Sequence, residues 1–179
     1  METSHAGKVL VATPRLIDPN FFRTVILLLQ HDDEGTVGIV LNRETSETVA
    51  DHLPEWAGRV TEPGLIHFGG PVEPEIAIGI SSSATGEATG VPGLSIVDLG
   101  TDPETDPETD GSPIRVYSGY SGWGAGQLEE ELAEGSWYVV QGSPDDPFDT
   151  PVGQWARILR RQSGHLALVS TFPEDVTLN

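Results

Sequence analysis

The chain of 179 residues has no cysteine and a single lysine, Lys8. Without thiols it can form neither a disulfide framework nor a thiolate metal site, and it has no cysteine nucleophile. Basic residues are scarce altogether: 9 Lys plus Arg stand against 28 Asp plus Glu, a formal net charge of −19. Nucleic-acid affinity rests on neutralising phosphates, so a surface with this balance repels DNA unless its few arginines cluster. No apolar run reaches the roughly 18 residues that a membrane span needs. The start, Met1-Glu2-Thr3-Ser4-His5, lacks a basic segment followed by an apolar one. These absences predict a cytoplasmic protein in a reducing compartment, with no membrane partner. Acidity alone names no ligand, since it also serves solubility.

What is present suits one domain spanning 1–179. A hydrophobic fraction of 37% is enough for a sizeable core. Gly7 to Ala12 reads as a strand stopped by Thr13-Pro14, and Phe21 to Gln30 as a strand covered on both faces. Asp32-Asp33-Glu34-Gly35 then turns the chain into a second apolar strand, Val37 to Leu41. Further strands are predicted at Leu65–Phe68, Ile76–Ile80, Leu94–Leu99, Ile114–Tyr117 and Trp137–Gln141. Helices are predicted after Thr45 or Ser46, over Gln127–Glu134, and from Pro151 with Thr150 as cap and Val152, Trp155, Ala156 and Leu159 as its buried stripe. Strands and helices mix without the alternation of a doubly wound sheet, so the class is α+β. The acidic, proline-rich repeat from Thr101 to Asp110 has nothing to bury and predicts a flexible loop at about 101–112.

Pairing His31 with Thr36 across the turn would place Asn42 opposite Val25 and Arg43 opposite Thr24. Asn42 and Arg43 then lie near Arg23 and near the loop holding Arg15, Asp18 and Asn20. Three arginines converging there could hold a carboxylate or phosphate through their forked donors. The simpler reading is that they pair with Asp18, Glu44 or loop carbonyls and lock the sheet end. The segment Gly119 to Gly126 follows a strand and opens a helix, the context of phosphate-binding loops. Its spacing is not GxGxxG, no Lys-Ser or Lys-Thr follows, and Glu129, Glu130 and Glu131 crowd the helix start. Trp123 breaks any GxSxG around Ser121, and no HExxH occurs. His31 beside Asp32 and Asp33 could ligate a metal, though a polar hairpin tip explains them as well. No catalytic residue, metal site or cofactor signature emerges.

Gly7 to Pro14, Asp18-Pro19-Asn20-Phe21, Val25 to His31, Gly38 to Arg43, Gly69-Gly70-Pro71-Val72 and, most specifically, Gly122-Trp123-Gly124-Ala125-Gly126-Gln127-Leu128-Glu129-Glu130-Glu131-Leu132 resemble the AlgH/YqgE-like family of bacterial proteins. The resemblance implies a single domain with a mixed, bifurcated, partly barrel-like β-sheet surrounded by helices. It also brings a putative transcriptional-regulator label but no established catalytic residues. Glu44 stands where a proline commonly follows the Asn-Arg pair, and the repeat at 101–110 departs from the usual pattern.

Three functions follow, in order: a non-catalytic regulatory or adaptor module binding a small ligand, an anion among the candidates, or a protein; a regulator acting on DNA directly; and an enzyme. The candidate pocket comprises Arg15, Asp18, Asn20, Arg23, Asn42 and Arg43, joined by Trp123 and Gln127 if the glycine-rich segment docks on the hairpin end. The one stripe suited to DNA is Arg157, Arg160 and Arg161, with no evident partner helix.

Overall fold

In the computed structural model the chain is described over residues 3–83, 85–105 and 110–174. Its strands are β1 (Lys8–Ala12), β2 (Val25–Asp32), β3 (Gly35–Val40), β4 (Glu44–Thr48), β5 (Leu65–Phe68), β6 (Val72–Ser81), β7 (Glu87–Ala88), β8 (Ser95–Val97), β9 (Ile114–Gly124) and β10 (Trp137–Gln141). The α-helices are α1 (Val49–His52), α2 (Gln127–Ala133), α3 (Gln154–Arg160) and α4 (His165–Val169). The strands form one curled, largely antiparallel half-barrel in the order β10-β1-β2-β3-β9-β6-β8-β7. The β4–β5 pair branches from β9, which β5 joins in parallel, His67 opposite Tyr117. β9 thus carries β3 and then β5 along one edge and β6 along the other, which makes the sheet mixed and bifurcated.

The period-2 alternation of β1 and β2 divides the core between the two faces. Val9, Val11, Val25 and Leu27 pack with Trp155, Ile158 and Leu159 of α3. Leu10, Ala12, Ile26 and Leu28 pack with Trp123, Leu128 and Trp137 under α2. A third cluster, Val49, Trp56, Ile66, Ile114 and Val116, fills the branch below α1.

Four local expectations are corrected. β2 starts at Val25, because Phe21 and Phe22 donate their amides back to Asp18 O in a turn. A bulge at Leu29 shifts the β2–β3 register, so Ile26 pairs with Val40, not Leu41. Asn42 therefore falls one place beyond its expected partner Val25. The third helix begins at Gln154 behind a left-handed Gly153, and Val152 is 83% exposed instead of lying in the buried stripe. Finally, Gly119 to Gly124 is the second half of β9, not a loop. Close backbone crossings meet this strand: a Cβ on Gly119 would lie 2.5 Å from the Gly70 carbonyl oxygen, and one on Gly70 would lie 2.2 Å from the Tyr120 carbonyl carbon. The loop expected at about 101–112 falls partly on 106–109, outside the described residues. Arg59 ties its flanks, donating to Pro103 O at 3.4 Å and Ser112 O at 3.1 Å.

Candidate functional site

At the hairpin end the Asn42 side chain substitutes for missing sheet pairing. Its Oδ1 accepts from Val25 N at 2.9 Å and its Nδ2 donates to Arg23 O at 2.8 Å. Arg23 so held has a left-handed backbone, φ 54°, a conformation that costs a side-chain-bearing residue about 1–3 kcal/mol. Its guanidinium lies 3.9 Å from the centroid of the Trp155 ring and donates to Phe172 O at 3.2 Å. Arg43 donates to Pro19 O and Phe22 O, locking the loop, with Asp18 as its charged neighbour. Asp18 accepts from the Asn20 amide, and the Arg15 guanidinium lies beside Gly135. Burial lowers the pKa of both Arg23 and Arg43, opposed by Glu174 and Asp18 respectively.

The glycine-rich segment docks elsewhere. Trp123 pairs with Thr36 at the hairpin tip, six residues along β3 from Asn42, or about 20 Å of strand. The eight expected residues therefore do not converge. Arg23 and Asn42 line one cavity of about 350 Å³ with Phe22, Trp155 and Glu174. Trp123 lines another of about 370 Å³ with Thr36, Val72 and Tyr120. Gln127 accepts from Gly124 N at 3.0 Å and donates to Glu131 at 3.1 Å. One oxygen of Glu131 also accepts from both indoles, Trp123 at 2.9 Å and Trp137 at 2.8 Å, and Phe21 packs edge-on to Trp137. Glu131→Ala would leave two partly buried N–H groups unpartnered. A loss of about 2 kcal/mol in urea unfolding is expected, and a smaller loss for Glu131→Gln, which keeps one acceptor.

His31 is taken up by partners within the chain. Its Nε2 lies 2.8 Å from Glu129 Oε1 and its Nδ1 accepts from His5 N, tying the hairpin to α2 and to the N-terminal segment. Among the described residues no group of three His, Asp or Glu is placed to hold a metal.

The AlgH-like family model matches residues 9–167. The chain belongs to the AlgH-like family. A UPF0301 protein of Streptomyces coelicolor is 46% identical over 189 residues, covering 99% of this chain and 96% of the relative. One from Thermobifida fusca is 41% identical over 191 residues, covering 98% and 96%. A crystal structure of a protein from Corynebacterium diphtheriae superposes with TM-score 0.83 at 32% identity, covering 96% of this chain and 94% of that one. The solution structure of the AlgH protein from Pseudomonas aeruginosa gives 0.70 at 26%, covering 96% and 95%.

In this AlgH-like chain the basic stripe at the end of α3 is exposed, and two of its three arginines are engaged by the chain's own acids. Arg157 donates to Asp149 and to the carbonyls of Thr150 and Val152, and Arg161 grips Asp146, while Arg160 is exposed beside them. Among the described residues, no helix is long and apolar enough to cross a membrane. Three groups escaped the sequence reading: Glu131, the Asp146–Arg161 pair, and His67, which is buried at 1% exposure with neither ring nitrogen hydrogen-bonded. The double-tryptophan flank of the Gln127–Leu132 segment was a usable signal for Glu131. Nothing local marked the other two.

Proposed function

We propose that this AlgH-like protein is a non-catalytic regulatory or adaptor module that holds a small carboxylate or phosphate in the cavity beside Arg23. The observation that carries this reading is Arg23 itself. A strained, left-handed residue, fixed by Asn42, presents a cation on an indole face at a cavity mouth of a protein with net charge −19. Strain of this kind gathers at ligand sites, and arginine suits a planar anion. Trp155, Phe22 and Val152 supply apolar walls, and among the described residues no serine, threonine or histidine lines the cavity. Glu174 lines the same cavity and is the charged neighbour of Arg23, so an incoming anion would displace an internal one. Arg23 also holds Phe172 O, next to the exposed Leu168 and Phe172. Drawing the guanidinium onto a ligand would free that apolar end, which is the regulatory output.

The test is residue-resolved NMR with inorganic phosphate and with hexanoate. Saturable shifts at Arg23 and the Trp155 indole are expected, lost in Arg23→Gln and several-fold tighter in Glu174→Gln. Equal responses in wild type and Arg23→Gln would refute the reading.

A further inference from the structure

A cavity of about 510 Å³ lies on the branch of the sheet, apart from the one beside Arg23. Its origin is a bow in β6. Val72 pairs with Tyr120 but Ala77 with Ser118, so β6 uses five residues where β9 uses two. Within the bow Glu73 is left-handed at φ 46°, and Pro74 removes an amide donor. Proline and the bulge also make this edge a poor template for an added strand. The bow opens a trough floored by Ser118, with Pro74, Glu75, Ile76 and Ala77 on one side and Thr45, Glu47, His52, Leu53 and Ile66 on the other.

Chemically the trough has an apolar body and an acidic rim. Ile76 is 42% exposed, a large aliphatic side chain standing in the wall. Glu47 lies 2.7 Å from His52 Nε2, Glu75 is exposed, and no lysine or arginine lines the space. The hydroxyl of Thr45 is used on Ile66 O at 2.6 Å. The volume lies within the roughly 300–1,000 Å³ of small-molecule sites, which combine apolar walls with a few polar groups. Two carboxylates on an apolar trough in a strongly acidic protein reject anions and favour an ammonium head with an aliphatic tail. From this juxtaposition of Ile76 and Leu53 with Glu47 and Glu75, we infer that the trough binds a small aliphatic amine.

The experiment is an NMR titration of the full chain at low ionic strength with hexylammonium, hexanoate, ammonium chloride and N-acetyl-lysine methylamide. Hexylammonium is expected to shift the amides of Thr45, Leu53, Ile76 and Ala77 along one saturable curve, with hexanoate and ammonium leaving them unmoved. Glu75→Gln should weaken binding about tenfold, the scale of a charge-assisted contact, and Ile76→Ser should weaken it several-fold. Both residues are exposed, so the variants keep the fold. Three results would overturn the inference: shifts that do not saturate or that spread over the acids of α2, wild-type affinity in either variant, or equal binding of hexanoate or ammonium. Tighter binding of the lysine derivative would also overturn it, reassigning the trough to a protein side chain.

Discussion

Between pH 6.5 and about 4 the protein is expected to lose about 3 kcal/mol of stability through one side chain, His67. Burial, reinforced by the Arg115 guanidinium, pulls its pKa down from 6.5 to about 4. Glu44 Oε2, opposite on β4, stays 3.8 Å from Nε2, too far for a hydrogen bond that would stabilise the charged ring. Tyr117 covers another side with ring centroids 5.5 Å apart. The folded state thus binds this proton more weakly than the unfolded chain does. The contribution is complete above pH 6.5 and is lost as pH falls toward 4. Urea unfolding at pH 7 and pH 4.5 should show most of the fall in wild type and much less in His67→Phe, which keeps an aromatic ring but cannot titrate. Equal falls in both proteins would show that other groups control this window. The carboxyl of Asp110, held down to about 2 by the hydroxyls and amide of Ser112 and Ser83, acts later, its contribution disappearing as pH drops from 3.8 toward 2.

His67 also shows where sequence reading stops. The strand Leu65–Phe68 was legible from its apolar run, and its bounds agree with β5. Which face His67 would take, and that it would feel the charge of Arg115, depends on a parallel pairing with β9 some 50 residues away in sequence, for which no local pattern exists. The same holds for the hairpin. Phe21 to Gln30 and Val37 to Leu41 were readable as paired strands, yet Leu29 is an ordinary aliphatic residue and gives no sign of being bulged. That single extra residue moved every partner beyond it by one.

Glycine misled in a more instructive way. The run from Gly119 to Gly126 has the composition of a ligand loop, but its first half is a strand that the backbone of Gly69 and Gly70 crosses closely. Gly69 and Gly70 lie against Gly119 and Tyr120 so closely that a side chain on either would collide with main-chain atoms. Strand pairing with β3 then carries β9 on to Gly124. Arginine behaved as the simpler reading held at Arg43, whose donors go to loop carbonyls. Arg23 also gives a donor to a carbonyl, Phe172 O, but its stacking on Trp155 depends on α3, a helix about 130 residues further along that the hairpin sequence cannot reveal. Long-range closure therefore decided each point that local pattern left open.

The second large effect is expected at Arg161. Asp146 is buried at 4% exposure, yet its side chain carries both oxygens into a forked contact with Arg161, at 2.5 and 2.9 Å, and accepts from Ser143 N at 2.8 Å. Its main-chain oxygen takes Gln154 Nε2 at 2.7 Å, so the pair joins the turn after β10 to α3, and Arg161 Nη2 adds a bond to Gln141 O in β10 itself. Removing one member of a buried pair costs about 3–5 kcal/mol, because the other charge is stranded. Arg161 is 36% exposed, so water screens the pair and the lower end applies. Arg161→Leu should therefore cost about 3 kcal/mol in urea unfolding at pH 7. Asp146→Asn keeps an acceptor for Ser143 and strands only the half-exposed arginine, so its cost should be smaller, about 1–2 kcal/mol. If the loss arises from the stranded carboxylate, the double variant must recover part of it. An additive double variant would show instead that Arg161 acts through Gln141 and its packed stem, not through Asp146.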